Sequence, residues 1–472
     1  MEKGRVKISL GEIQGIETEK NVIFKGVPYA KAPVGDLRFR PPVPVDAWEG
    51  VLKADKFSAK CYQMNQSAGF YGKEFYSNPD FMPPMSEDCL YLNIWTPKDY
   101  ADTDSHRPYP VAFWIHGGGF NAGFGSELEF DGDAYTDRGV ILVTINYRLS
   151  AFGFLALPEL LEESGTTGNY GILDQIEALR FVHEHIAVFG GDPDNITIYG
   201  QSAGAMSTQT IINSPLSRGL FARAILQSGG GVDNGLAKEH TLESAYEIGH
   251  AFMKACRAKT LDDLRKCPPE LFVKKLLPLM IKAKGLPFYP VVDGYVLEDT
   301  CDNNIRNNLI PDLPYMLGSC ANDIDVKKKQ TGRESGSGVY TGCIRWAETR
   351  EKLSDKPTYL YYFSRQLPGK SGGAFHSSEL WYMFGTIDRC WRPLLDLDRA
   401  LSERMLDCWT SFMKNGNPKT KTDEWPAYTS DRPYIKEFGD AAPSDEGDGL
   451  KANSQLMMGN ALQKTQLTST GR

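Results

Sequence analysis

The sequence predicts an α/β fold: a large, mostly parallel central sheet with helices on both faces. Two observations predict it. Short apolar runs rich in β-branched and aromatic residues alternate with longer stretches of helical period. Glycine-rich turns then follow two of those runs directly, at His116-Gly117-Gly118-Gly119-Phe120 and Gly200-Gln201-Ser202-Ala203-Gly204. Pro110–Ile115 and Val140–Ile145 read as buried strands, because near-continuous apolar runs mark strands covered on both faces. Ile172 to Phe189 has apolar residues at 172, 173, 176, 179, 182, 186 and 189, a helical period, and Gly190-Gly191-Asp192-Pro193 stops it. Asn195–Tyr199 reads as a short strand and Ala203–Ile212 as a helix. Ala224–Leu226, Pro314–Leu317 and Tyr359–Phe363 read as further strands, and Ser402–Lys414 as a helix. Segments 61–89 and 327–338 look loop-rich.

The chain has 472 residues, 41% hydrophobic and 24% charged, which is ordinary globular usage and excludes disorder as the main state. Length alone would allow about three domains. No long linker or 20–50-residue repeat divides the chain, so 1–472 reads as a single domain. The net charge of −8 argues against nucleic acid as a partner, since such a surface must be basic. No apolar run approaches the ~20 residues of a membrane span, and Met1–Arg5 leads into no apolar export segment. A cytoplasmic monomer or homodimer is expected. Nine cysteines form no CxxC pair and show no zinc spacing, so no metal is expected.

A bare G-x-S-x-G is common, so its setting decides. Here it follows the strand 195–199 and opens the helix 203–212, the strand–turn–helix context of a nucleophile elbow, and Ser202 is the candidate nucleophile. An oxyanion needs backbone N–H donors. The glycine turn after strand 110–115 supplies them where no Cβ obstructs the approach, so Gly118, Gly119 and Ala203 are the expected donors.

Ser202 needs a base. In this fold's chain order the histidine comes last, after Ser and acid, which leaves His240, His250 and His376. The first two sit in a polar helical stretch. His376 lies on a loop after strand 359–363 and is the expected base. The acid belongs on a loop after a strand between Ser202 and His376, where Asp323 and Asp325 both qualify.

These motifs carry a resemblance that covers most of the chain. Phe24–Ala30 with Leu37-Arg38-Phe39, Ser86-Glu87-Asp88-Cys89-Leu90-Tyr91-Leu92-Asn93, Gly200–Gly204 and Phe375-His376-Ser377-Ser378-Glu379-Leu380 resemble the signatures of the type-B carboxylesterase family, which includes bacterial para-nitrobenzyl esterases and the cholinesterases. The resemblance implies an α/β-hydrolase fold with a loop-rich gorge and an ester-cleaving Ser-acid-His triad that needs no cofactor. It places the acid five residues after Gly318, at Asp323, where the family usually has Glu, and keeps Asp325 in reserve. Cys61 and Cys89 match the first disulfide of secreted relatives, but with no export segment they are expected as reduced thiols. The aromatics between them suit either a loop tacked onto the core or a rim over the gorge. Phe120, Phe124, Phe152, Trp381 and Tyr382 are expected as pocket lining, with core packing as the bland alternative.

Cholinesterases carry Glu immediately before the nucleophile and a Trp in the region matching 61–89. This chain has Gln201 and no such Trp, which favours neutral, apolar esters of small to medium size. The competing functions are a silent adhesion protein on the same fold, and an amidase or transacylase sharing the acyl-enzyme.

Overall fold

The computed structural model describes residues 4–102, 108–236, 238–283, 285–324 and 337–440. A ten-stranded sheet organises them. In chain order its strands are β1 (Ile16–Glu17), β2 (Asn21–Pro28), β3 (Tyr91–Pro97), β4 (Tyr109–Ile115), β5 (Ile141–Ile145), β6 (Gly191–Gln201), β7 (Arg223–Gln227), β8 (Tyr315–Cys320), β9 (Thr358–Phe363) and β10 (Lys436–Phe438). Their spatial order is β10-β9-β8-β7-β6-β4-β5-β3-β2-β1. The strands from β10 to β5 run parallel, and β3, β2 and β1 continue the sheet antiparallel at one edge. The predicted mostly parallel sheet is therefore present, with an antiparallel margin.

Alternation along the strands divides the interior into two cores. In β4, Val111, Phe113 and Ile115 face one core, whereas Ala112 and Trp114 face the other. Leu317 of β8 and Leu360 of β9 join the first, Met316 and Tyr361 the second. Period-two alternation with both faces apolar is the pattern of a doubly covered sheet. The helices include α1 (Gly69–Phe75), α2 (Tyr170–His185), α3 (Ala203–Asn213), α4 (Pro269–Ala283), α5 (Gly338–Leu353) and α6 (Asp396–Asn415). α3 packs on β6 and β7, α5 on β8 and β9, and α6 on β4 and β6. The stretch predicted as one helix from 172 to 189 is α2 followed by a 3-10 turn, Ile186–Phe189, which ends at Gly190 in the left-handed region.

Two expectations change. Cys61 and Cys89, expected as thiols, are joined in a disulfide; both are buried, and their Cα atoms stand 5.1 Å apart, within the span a bridge requires. Segment 61–89 is not wholly loop, since it carries α1 and a 3-10 turn at Pro79–Phe81. Segment 327–338 lies outside the described residues up to position 336. Among the described residues no helix is long and apolar enough to cross a membrane.

Candidate active site

Ser202 stands between β6 and α3 with φ +56° and ψ −125°, a conformation L-residues seldom adopt outside such turns. The neighbouring glycines make the turn possible. A Cβ on Gly204 would lie 2.0 Å from the Ile115 carbonyl oxygen, and one on Gly200 would lie 2.5 Å from the Gly204 backbone. β6 and α3 can thus approach each other and β4 only without side chains at these two positions. The Ser202 N–H is fixed by the Gln227 carbonyl of β7 (2.8 Å). Behind it, the amino end of the eleven-residue α3 presents a positive dipole end.

The turn after β4 lies alongside. A Cβ on Gly117 would come within 3.2 Å of Ser202 Cβ, so the two turns are in near contact. Gly118 (φ +103°) and Gly119 (φ +62°) take left-handed conformations. Among the described residues, no acceptor takes the backbone N–H of Gly118, Gly119 or Ala203. Three main-chain donors therefore stand uncommitted around Ser202.

His376 and Asp323 come together although 53 residues separate them. Parallel bridging between Asn322 and Phe375 ties the loop after β8 to the loop after β9. The Asn322 N–H donates to the Ala374 carbonyl (2.8 Å), and Asn322 Oδ1 accepts the Ala374 N–H (3.0 Å). His376 Nδ1 donates to Asp323 Oδ1 at 2.5 Å. Asp323 also accepts the backbone N–H of Ile324 on Oδ1 (2.9 Å) and of Cys320 on Oδ2 (3.1 Å). Burial alone would raise its pKa, but the attraction of His376 and these hydrogen bonds outweighs it and holds the carboxyl below its usual range. Asp325 falls outside the described residues.

Because Nδ1 carries the proton, His376 Nε2 is an acceptor, and the Gln201 amide donates to it at 3.3 Å. Behind the histidine lies a buried carboxyl, Glu379, whose Oε2 accepts the Cys320 thiol (2.9 Å). Burial, only partly offset by that bond and by His376, pushes Glu379 up to about 7. The other histidines have different duties. His116 is buried and stacked on Tyr147, its Nδ1 donates to the Gly117 carbonyl, and burial lowers its pKa to about 4. His240 is held by Ser244 and the Pro287 carbonyl, and His250 is exposed on a helix.

A cavity of about 450 Å³ opens at this point, within the size range of small-molecule sites. Its lining brings together Ser202, His376, Gln201 and Gly117–Gly119 with Met64, Tyr71, Phe75 and Tyr76 of the segment between the bonded cysteines. That segment is thus part of the wall. The five aromatics expected as lining are elsewhere, packed in the core. Phe120 meets Phe154 edge-on, Phe152 packs with Phe39 and Phe272, and Phe124 lies behind Tyr76. Trp381 stacks behind Phe75, and Tyr382 donates to Asp398 (2.6 Å). Ring size and nearness in sequence to the motifs favoured them, but each side chain points into a core layer. Sequence reasoning missed Glu127 and Glu129, which do line the cavity. Their one signal was a pair of carboxylates in an otherwise apolar stretch.

A strained serine on a strand–helix turn, uncommitted N–H groups beside it and a buried carboxylate–histidine pair on a parallel sheet define an α/β-hydrolase of the serine kind. Comparison with known proteins agrees. The carboxylesterase family model matches residues 2–337 and 337–453. The para-nitrobenzyl esterase of Bacillus subtilis is 34% identical over 90% of this chain and 92% of its own length. Acetylcholinesterase of Bungarus fasciatus is 32% identical over 88% of this chain and 78% of its own. Among solved structures, a thermophilic PNB esterase superposes with a TM-score of 0.82 at 28% identity, covering 96% of this chain and 99% of that one. The carboxylesterase of Geobacillus stearothermophilus gives 0.77 at 31% identity, covering 95% and 100%. The chain belongs to the carboxylesterase family and is a serine carboxylesterase.

Proposed function

We propose that the chain hydrolyses small to medium neutral carboxylic esters through a Ser202–His376–Asp323 triad. The observation that carries this reading is the convergence on one cavity of Ser202 in its strained turn and His376 in its bond to Asp323. Ser202 Oγ attacks the ester carbonyl carbon and its proton passes to His376 Nε2. Asp323 keeps the proton on Nδ1, so that the basic lone pair lies on Nε2, and stabilises the imidazolium that forms. The oxyanion is received by the N–H groups of Gly118, Gly119 and Ala203. His376 returns the proton to the departing alcohol. Water then attacks the acyl-enzyme with His376 as base again and releases the acid. In the resting protein the Gln201 amide occupies the Nε2 lone pair, and Ser202 must take that place for the transfer. Gln201 is itself uncharged, which supports neutral rather than cationic esters.

Ser202→Ala is expected to lower kcat on para-nitrophenyl acetate by about 10⁴-fold or more with an unchanged thermal midpoint. Retained turnover in that variant overturns the assignment. Rates on choline and uncharged esters of one acyl group test the substrate reading, and a clear choline preference defeats it.

A further inference from the structure

The resting site holds its nucleophile and its base apart. Ser202 Oγ makes no hydrogen bond among the described residues, although Ser202 and His376 line the same cavity. The place that a triad gives to the serine hydroxyl is taken by Gln201, whose amide donates to His376 Nε2 at 3.3 Å. The sense of that bond follows from the other side of the ring. Nδ1 donates to Asp323, so Nε2 of the neutral ring can only accept, and it has one lone pair to offer.

Gln201 is firmly seated. It ends β6 and pairs there with Gln227 of β7. A Cβ on Gly117 would come within 3.3 Å of Gln201 Oε1 and within 3.2 Å of Ser202 Cβ, so both side chains use the room that this glycine leaves. At 2% exposure the amide has little water to turn to, and breaking its bond to Nε2 costs it a partner.

We propose that Gln201 is a positioning residue that regulates the triad: it caps the His376 lone pair in the resting chain and withholds the base from Ser202 until the amide swings aside. This rests on the Ser202–His376–Asp323 reading above and concerns its rate. The cap stabilises only the arrangement in which the ring is neutral and Ser202 is unbonded. It therefore lowers the share of chains ready to react, and it also makes the ring harder to protonate. One factor governs both effects. Without the cap, the rate at high pH rises by that factor, and the pH midpoint for protonating the base rises by its logarithm. At low pH the two changes cancel. Asp323 and Glu379, the carboxyls that act on the ring, and the Tyr71 hydroxyl on the His376 carbonyl are the same in wild type and variant. A difference between the two profiles then belongs to Gln201.

The test follows the rate at which a dialkyl fluorophosphate modifies Ser202 between pH 5 and pH 9, read as loss of para-nitrophenyl acetate turnover. In that step Ser202 Oγ bonds to phosphorus, fluoride leaves, and the hydroxyl proton goes to His376 Nε2. Gln201→Met keeps the length of the side chain and removes the donor. Its profile is expected to join that of the wild type at low pH and to run about 2–10-fold above it at high pH. Its midpoint is expected to lie about 0.3–1 pH unit higher, the same factor read as a logarithm. Gln201→Leu removes the donor in a different shape, is expected to do the same, and serves where the methionine variant does not fold. A loss of packing alone would lower the rate at every pH and leave the midpoint in place. That result overturns the proposal, as does a folded variant whose high-pH rate does not exceed that of the wild type. A wild type that the reagent does not modify at Ser202 instead defeats the triad reading beneath it.

Discussion

Asp323 keeps its charge in a place closed to water because His376 and two backbone N–H groups share the cost of burying it. Asp323→Asn removes the charge and preserves the shape, and the histidine then loses its enforced tautomer. A fall in kcat of about 10³–10⁴-fold is expected, with little change in KM, as read by steady-state kinetics. Glu379 tests the electrostatics from the other side. Its folded pKa of about 7 lies above the ordinary value of 4.5, so the folded chain holds the proton more tightly than the unfolded one. That contribution to stability is complete below about 4.5 and is lost as pH rises through about 7. Glu379→Gln cannot titrate, so its thermal midpoint should fall less between pH 5 and pH 8 than that of the wild type. Equal slopes by scanning calorimetry would remove Glu379 from the account. At this scale the sequence singled out Ser202 and His376 as candidates readily, because each sits in a motif with a recognisable neighbour. It did not disclose Gln201 against His376 or Cys320 against Glu379, which are contacts between residues distant in the chain.

At the scale of elements, the elbow is held by close backbone approach. β6, α3 and β4 meet at Gly200 and Gly204, and the Ile115 carbonyl occupies the space a side chain would need. Gly204→Ala is expected to destabilise by about 1–3 kcal/mol, or more if β4 cannot shift, measured as a lowered midpoint in urea. An unchanged midpoint would mean that the two strands yield more easily than their packing indicates. Strands with both faces buried were legible from sequence because β-branched and aromatic runs suit them. β6 nonetheless begins at Gly191, four residues before the stretch predicted for it, since Gly191-Asp192-Pro193 reads as a breaker yet pairs Gly191 with Tyr109 across an irregular register. The antiparallel margin β1–β3 was not read at all.

Across the whole molecule, the cavity wall depends on segments pinned from far away. α1, which brings Tyr71 and Phe75 to the cavity, is tied by Glu74 to Arg392 through two bonds (2.7 and 3.0 Å), and Trp391 adds a third (3.1 Å). Both charged groups are fully buried. Arg392→Met leaves Glu74 without its partner, a change that costs roughly 3–5 kcal/mol when a buried pair is broken. Faster amide exchange in α1 and a raised KM for esters are the expected results. Unaltered exchange would show that the Cys61–Cys89 bridge holds the segment without the ion pair.

The sequence by itself determined the α/β class, and it located the glycine turns at Gly117–Gly119 and Gly200–Gly204 and the loop that carries His376. These depend on local periodicity and on glycines at fixed offsets, which the chain states directly. Only the tertiary structure decided which side chains make the cavity. The five expected aromatics lie in the core, whereas Glu127, Glu129 and α1 form the wall. The physical reason is that a pocket is the space left between elements, so its lining depends on how distant loops pack against one another. No local pattern encodes that packing.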